Sequence, residues 1–444
     1  MKGLIIAPGL DNYLAIHCLN KLKPEFITFL VTDKTVELLP EILQKLKYSP
    51  KEHKKFFIKD IKYFSEAIQE FLNAFYWLTE IKKIKKITVD ATNVLTNIGF
   101  SVYFVASFIE VFKDLIKEDV DIKLIFTTCD WKVVEAELHA AGEPIIGTEE
   151  IIELEHPMNA IGFILGVTAC DLFNKGFYPR AEEMFRILEK NTTGEQNLLY
   201  EGLASLSHSY NLWDKFSIEE ASKELERTIY TLKKVDKFGF IQNIMKKIDL
   251  NSEILQKIKD GDRLEKIVDI FENANRKMEE EKFDDAVARY YRCLDMIAQY
   301  ALEKYGIDTQ SPDFLKLSQA MVEKYKKERG GNLPDKYKNG MGGIALKDSF
   351  LLLYCLGDSI GQEYKKIEAR FIGLLTSRNQ SILAHGLKAI NKEKADKFKE
   401  EIVKPFLIKL LERENLNLEQ KLEKHQYPKL SASIKTLYLD LKRV

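Results

Sequence analysis

The residues best suited to catalysis in this 444-residue chain are an arginine and a histidine near its C-terminus. Arg378 and His385 lie in the segment SRNQSILAHG, residues 377–386. The serine at its start and the glutamine three positions later fit a helix-capping box, and the final glycine fits a helix end. We therefore expect a short helix with both side chains on one face, about 10 Å apart along its axis. RNA cleavage without a metal needs such a pair: a group that moves protons near neutral pH and a fixed cation that stabilises the phosphorane.

A structural explanation of the same residues stays open at this point. Arg378 could cap a neighbouring helix, and His385 is one of seven histidines in the chain. Arginine and histidine at this spacing also occur by chance, so the surrounding elements decide between the two explanations.

The helices upstream must position this pair. Residues 271–292 predict two helices with a turn between them, and the second continues to about residue 304. Its apolar side chains recur at steps of four and three, which is typical of one buried stripe. The stripe consists of Phe283, Val287, Tyr290, Leu294, Ile297 and Ala301. These side chains belong to the hydrophobic core and take no part in catalysis. Arg289 and Arg292 lie on the adjoining faces of the helix.

The first 150 residues have a different pattern, in which short β-rich runs alternate with amphipathic stretches. This alternation predicts a doubly wound parallel sheet covered on both faces. The strand candidates are residues 4–6, 26–31, 56–58, 87–89 and 122–126. Ligands bind beyond the carboxyl ends of such strands, where the winding order reverses. The polar segments 7–12, 90–97 and 127–130 are therefore the candidate binding loops.

The rest of the chain reads as helical. The β-rich runs stop at about residue 155, and helical patterns continue to the end of the sequence. Residues 249–252, DLNS, are polar turn formers and predict a break between two helical regions.

Composition and charge exclude several classes of protein. Lysine plus arginine (67) nearly balance aspartate plus glutamate (68), so the net charge of −1 excludes a global polycation. Five cysteines stand singly, which argues against a disulfide framework or a zinc ribbon. No apolar run reaches the roughly 18 residues of a membrane span, and the N-terminus reads as a strand rather than a secretion signal. We expect a cytoplasmic protein without a membrane segment.

The motifs resemble a known family. The run from Arg378 to His385, with AVARYYRCLDMIAQ (286–299), closely resembles the HEPN ribonuclease domain, whose signature is Arg-x4-6-His. LFNKGFYPRA (172–181) and the preceding Rossmann-like domain resemble the rest of the CARF-HEPN ribonucleases of type III CRISPR systems. The resemblance implies an α/β plus all-α architecture. Its parts are a Rossmann-like CARF sensor domain (1–155), a helical connector (156–255) and an α-helical HEPN ribonuclease domain (256–444).

The resemblance also implies a binding site for cyclic oligoadenylate. The family's strand-four turn often reads Asp-x-Thr-Gly-Gly-Thr-Lys, whereas residues 90–96 here read DATNVLT, without the two glycines and the lysine. The activator-binding residues that we expect are Pro8, Gly9, Asp11, Asn12, Asp90, Thr92, Asn93, Thr96, Asn97 and Thr128. Their hydroxyl and amide groups can bind phosphates or adenine edges at a helix N-terminus. The polar residues of the loop 90–97 could instead serve only to cap the helix that follows.

In the implied reaction, His385 acts on the attacking ribose 2′-hydroxyl or the leaving 5′-oxygen of single-stranded RNA, and Arg378 stabilises the developing charge. Asn379 orients one of these groups. The products have cyclic 2′,3′-phosphate and 5′-hydroxyl ends, and we expect neither a metal nor a cofactor. We expect cyclic tetra-adenylate rather than hexa-adenylate as activator, a homodimer that brings two Arg–His pairs to one cleft, and no stable DNA binding.

Other classes of function remain open. A nucleotide-sensing regulator without catalysis would keep the N-terminal pocket and use the C-terminal helices only for association. A helical scaffold is suggested by residues 176–181 and 282–286, which resemble fragments of tetratricopeptide repeats, although they lie too far apart for a tandem array. A dinucleotide-dependent enzyme is disfavoured because the first strand is not followed by GxGxxG.

Overall fold

The chain forms two compact units. A computed structural model describes residues 2–9, 12–60, 62–92, 97–116, 120–132, 143–154, 158–235, 242–334, 337, 342–382 and 386–430. The first unit comprises Met1–Ile164 with Lys190–Thr193, and the second comprises Leu165–Glu189 with Gly194–Val444. We call them the α/β unit and the helical unit.

The strands of the α/β unit are β1 Lys2–Ile6, β2 Phe26–Val31, β3 Glu52–Phe57, β4 Lys86–Asp90, β5 Asp121–Thr128, β6 Trp131–Lys132, β7 Glu143–Pro144 and β8 Glu150–Glu153. Six of them form one sheet with the order β3-β2-β1-β4-β5-β8. Five neighbouring strands are parallel and β8 is antiparallel to β5. A separate pair, β6 and β7, is also antiparallel. Five strands lie where they were predicted and run parallel. The third, β3, begins four residues earlier than predicted, at Glu52, because its first four residues are exposed and carry no apolar pattern.

Helices cover both faces of this sheet. Burial on both faces explains the continuous apolar runs, since every residue of β2 is buried. The helices of this unit are α1 Tyr13–Leu22, α2 Leu39–Gln44, α3 Phe64–Tyr76 and α4 Asn97–Ile116, with a 3₁₀ turn at Val36–Leu38 and a π-helical turn at Trp77–Ile81. Helix α5, Met158–Asn174, starts in this unit and ends in the helical unit.

In the helical unit, helix α11, Phe283–Glu303, packs in an extended hydrophobic core whose buried residues run from Ile267 to Leu411. The predicted stripe on this helix is confirmed: Phe283 is half-buried and its five other members are buried. The further helices are α6 Tyr178–Asn191, α7 Gly194–Asp214, α8 Ile218–Val235, α9 Gln242–Lys259, α10 Arg263–Glu279, α11 Phe283–Glu303, α12 Gln319–Arg329, α13 Leu346–Cys355, α14 Ser359–Asn379, α15 Lys392–Phe398, α16 Lys404–Arg413 and α17 Leu418–His425. No helix in the described part of the chain is both long and apolar enough to cross a membrane.

The predicted break at residues 249–252 is wrong, because α9 continues through it. Asn251 is fully buried in the middle of this helix. Its side-chain amide donates to the carbonyl oxygens of Lys424 (3.0 Å) and Gln426 (3.2 Å), and its oxygen accepts from the Tyr210 hydroxyl (2.8 Å). Asn251 therefore ties the C-terminal end of α17 to α7 and α9 instead of ending a helix.

Candidate functional site

Arg378 and Asn379 are the last two residues of α14. The expected short helix between residues 377 and 386 is wrong, since Ser377 lies in the final turn of a long helix instead of capping a new one. The carbonyl oxygens of Gln380 and Ser381 accept hydrogen bonds from the amides of Lys388 (3.3 Å) and Gly386 (3.0 Å). These bonds turn the chain back on itself, so the helix cannot continue.

The turn after α14 closes tightly on the helix end. The Ile382 amide donates to the Lys388 carbonyl (3.1 Å), and Ser381 and Lys388 form an isolated β-bridge. A Cβ atom at Gly386 would lie 2.0 Å from the backbone oxygen of Gln380, so only glycine allows this approach. His385 immediately precedes Gly386 in the chain and lies outside the described residues.

The Arg378 guanidinium lies on an aromatic ring. Its carbon Cζ is 4.2 Å from the centre of the Tyr291 ring on α11. Its Nη1 donates to the side-chain oxygen of Asn379 (3.1 Å). The arginine is half-buried and Asn379 is exposed. The structure thus brings two of the three predicted catalytic residues, Arg378 and Asn379, into contact. It adds the side chain of Tyr291, which was not predicted.

Arg378 also differs from the other described arginines in its charge pairing. Each of the others has a carboxylate oxygen within ion-pair distance, whereas no described carboxylate pairs with Arg378. The pairs are Arg180–Glu183, Arg186–Glu189, Arg227–Glu224, Arg263–Glu303, Arg276–Asp214, Arg289–Asp285, Arg292–Asp295, Arg329–Asp348, Arg370–Glu401 and Arg413–Asp358. A guanidinium without a counter-ion in the described structure is suited to bind a phosphate.

Sequence reasoning missed Tyr291. Its neighbour Tyr290 belongs to the buried stripe, and one residue further along a helix the side chain turns by about 100°. Burial raises the pKa of the Tyr291 phenol above its usual value, and the charge of Arg378 acts in the opposite direction. Two adjacent tyrosines in a helix, of which only one fits the stripe, were the available signal.

Two contacts fix α11 next to this site. The Tyr290 hydroxyl donates to the side-chain oxygen of Asn275 on α10 (2.6 Å). At the start of α11, the Asp284 carboxylate accepts from the Ile390 amide (3.0 Å), just beyond the turn that follows α14. The turn and the helix that carries Tyr291 are therefore tied together.

The predicted activator residues follow neighbouring strands of the α/β unit. Ile6, the end of β1, is paired with Asp90, the end of β4. Because β2 and β3 lie on one side of β1 and β4 and β5 on the other, the winding order reverses here. Beyond the ends of β1 and β4 lie Pro8, Gly9, Asn12 and Thr92, and Thr128 is the last residue of β5. The backbone of Asn97 begins α4. Three predicted residues lie outside the described part of the chain: Asp11, Asn93 and Thr96.

The Asp90 side chain stabilises the turn that follows β4. It is buried, and its carboxylate accepts hydrogen bonds from the Thr92 amide (2.9 Å) and the Thr92 hydroxyl. Burial raises the pKa of Asp90, while the bonds from Thr92 lower it. The Thr92 hydroxyl also accepts from the Thr127 amide (2.9 Å). Asp90 and Thr92 therefore join the ends of β4 and β5.

An acidic residue that sequence reasoning missed lies at the same edge. The Tyr13 hydroxyl, in the first turn of α1, donates to Glu149, and the Gly147 amide lies 3.1 Å from both carboxylate oxygens of Glu149. Asn12 precedes α1 without a capping bond from its side chain. Among the described residues, no group of three His, Cys, Asp or Glu side chains is placed to hold a metal ion.

Comparisons with known proteins agree with these observations. A Csm6 HEPN domain family model matches residues 258–408, which include Arg378 and His385, and a Csm6 6H domain model matches residues 167–255. Together the two models span more than half of the chain. The solved structure of Enterococcus italicus Csm6 bound to cyclic hexa-2′-fluoro-hexa-dAMP has the same fold: the TM-score is 0.55 at 14% identity, over 96% of this chain and 98% of that one. No curated protein sequence matches significantly. The chain belongs to the Csm6 family of CARF-HEPN ribonucleases of type III CRISPR systems.

Proposed function

We propose that this chain is a cyclic-oligoadenylate-activated endoribonuclease that cleaves single-stranded RNA without a metal ion in type III CRISPR defence. The observation that carries the proposal is the position of Arg378. It ends a helix within the HEPN match, lies on the Tyr291 ring and pairs with no described carboxylate. A phosphate is the anion that RNA offers to such a group.

The chemistry follows from the proposed pair. A ribose 2′-hydroxyl loses its proton and attacks the adjacent phosphorus, and the bond from phosphorus to the 5′-oxygen breaks. His385 accepts the first proton or donates one to the leaving oxygen, while Arg378 stabilises the charge on the phosphorane. Asn379 accepts a hydrogen bond from Arg378 and so orients it. The products are a cyclic 2′,3′-phosphate and a 5′-hydroxyl.

The activator would bind at the β1–β4 edge of the α/β unit. The reversal of winding order at this edge supports the proposal, as does the N-terminus of α4 that follows β4. We expect cyclic tetra-adenylate to be the better activator. Because the Enterococcus italicus protein is bound to a six-membered analogue, the assay must compare both ring sizes.

A homodimer would give the site two Arg–His pairs, and α4 offers an apolar surface for association. Phe100 (50% exposed), Phe104 (46%) and Phe108 (50%) recur every four residues on this helix. Phe64, 44% exposed, packs edge-on against Phe100 with ring centres 5.7 Å apart. An exposed aromatic stripe of this kind favours contact with a second copy.

RNA cleavage by defined variants tests the proposal. Arg378→Ala and His385→Ala should each abolish cleavage of a fluorogenic RNA, with binding of the activator unchanged. Arg370→Ala is the matched control, because Arg370 lies on the same helix but is exposed and paired with Glu401. Activity that persists in either site variant would contradict the assignment.

Further measurements test metal independence, activation and dimerisation. Cleavage should continue in EDTA and should rise with cyclic tetra-adenylate at lower concentrations than with hexa-adenylate. A requirement for Mg²⁺, or full activity without any activator, would contradict the proposal. Mixing Arg378→Ala with His385→Ala protein should restore some activity if the cleft combines both chains, and sedimentation as a monomer at active concentrations would exclude this.

A further inference from the structure

We infer that Tyr291 is a positioning residue for RNA cleavage, which it supports by holding the Arg378 guanidinium in a fixed plane. This inference rests on the proposed function. Tyr291 is half-buried on α11, and its ring centre lies 4.2 Å from the Arg378 Cζ. The other described arginines are held by carboxylates, so the aromatic ring takes the place that an acidic side chain has elsewhere.

The geometry of a guanidinium explains why a ring suits this task. A carboxylate partner binds the N–H groups at the edge of the guanidinium plane and neutralises its charge. A ring binds the face of the plane and leaves the N–H groups and the charge available to a phosphate. The bond from Nη1 to Asn379 (3.1 Å) uses one of these donors. Tyr291 thus restricts the guanidinium to the face of its ring, and Asn379 holds one of its N–H donors.

The ring, and not the hydroxyl, carries this role. Burial raises the pKa of Tyr291, so the phenol remains protonated at neutral pH and is not a proton acceptor. Asp295, one turn further along α11, accepts hydrogen bonds from Arg292 and from Gln299 (3.0 Å). Its charge is engaged on its own helix, which leaves the ring as the described partner of Arg378 on α11.

Tyr300 provides a matched control. It lies on the same helix, packs partly against the same core and faces a cation, with the Lys304 Nζ atom 5.3 Å from the ring centre. Replacement of either tyrosine by leucine removes a half-buried ring of the same size. Only Tyr291 contacts the proposed catalytic arginine.

The first test is the steady-state kinetics of RNA cleavage with saturating activator. Tyr291→Leu should lower kcat by about three- to thirtyfold, the range expected for a lost cation–π contact, with KM nearly unchanged. Tyr291→Phe should stay close to the wild type, and Tyr300→Leu should match it. Equal losses in the two leucine variants would mean that packing alone is affected and would overturn the inference. A rise in KM without a fall in kcat would also overturn it, because the ring would then bind RNA directly.

Chemical rescue separates the inference from the proposed function. Guanidinium ion at millimolar concentration should restore part of the cleavage that Arg378→Ala loses, and it should do so in the Arg378→Ala/Tyr300→Leu protein. Rescue should fail in Arg378→Ala/Tyr291→Leu, since the ring that receives the guanidinium is gone. Equal rescue in both double variants would overturn the positioning role. A wild-type protein that does not cleave RNA would instead refute the proposed function.

Discussion

Replacement of Asn251 by alanine should weaken the helical unit strongly, although sequence patterns place this residue in a turn. The side chain is fully buried and makes three hydrogen bonds, one from the Tyr210 hydroxyl and two to the carbonyls of Lys424 and Gln426. The alanine variant leaves the buried Tyr210 hydroxyl without its acceptor and both carbonyls without this donor.

The expected loss can be worked out from these bonds. A buried donor left unsatisfied costs about 1–3 kcal/mol, and each lost hydrogen bond to a carbonyl costs about 1 kcal/mol. The free energy of unfolding should therefore fall by about 3–5 kcal/mol. Tyr210→Phe removes only the hydroxyl and should cost less. The double variant should lose less than the sum of the single losses, because the two groups share one bond.

Urea unfolding followed by circular dichroism and tryptophan fluorescence would measure this change. Trp213 is a suitable reporter because its ring centre lies 4.9 Å from that of Tyr427, in the segment that Asn251 holds. Glu253→Ala, at an exposed position on the same helix, is the control and should change stability by less than about 0.5 kcal/mol. If Asn251→Ala were as stable as this control, the buried hydrogen bonds would not contribute as argued.

Two further predictions concern the turn after α14 and the contacts that Glu265, on α10, makes with Lys421 and His425 on α17. Gly386→Ala should abolish most RNA cleavage, because its Cβ would lie 2.0 Å from a backbone oxygen, whereas Gly373→Ala on α14 has free space and should retain activity. Burial alone would raise the pKa of Glu265, but hydrogen bonds from His425 and Lys421 lower it to about 2. The ionised Glu265 carboxylate therefore contributes about 3 kcal/mol to the free energy of unfolding above its ordinary pKa, and this contribution is lost as pH falls from about 5 to 2. Thermal unfolding across this range should show the loss, and Glu265→Gln should flatten it.

Strands β1, β2, β4 and β5 and the core helix could be predicted because their apolar patterns are regular, whereas only the last two residues of β3 carry such a pattern. The run 26–31 is buried on both faces, and the α11 stripe keeps a helical period from Phe283 to Ala301. Strand β8 was missed because four residues, EIIE, with two exposed carboxylates carry no such period. Local pattern thus identified elements that bury a whole face.

The errors share another physical origin. Asn251 and Ser377 are polar residues with turn or capping preferences, and tertiary contacts override these preferences. The buried amide of Asn251 finds partners more than 170 residues away in sequence. Ser377 lies inside α14, which began at Ser359, so it cannot cap a new helix. The chain turns only after Gln380, where the carbonyls of Gln380 and Ser381 accept from the amides of Lys388 and Gly386. The final glycine of the motif therefore closes this turn instead of ending a second helix.

The position of Arg378 at a helix end explains how it stays unpaired among the described residues. On a helix surface, arginines pair with carboxylates three or four residues away, as Arg289 does with Asp285. The corresponding positions before Arg378 are Leu374 and Leu375, and those after it, Ser381 and Ile382, lie outside α14 and carry no acid. The dipole of α14 favours a cation at the C-terminus of the helix, without occupying the edge of the guanidinium. The helix end therefore stabilises the charge, the Tyr291 ring holds its plane, and the donors remain for a phosphate.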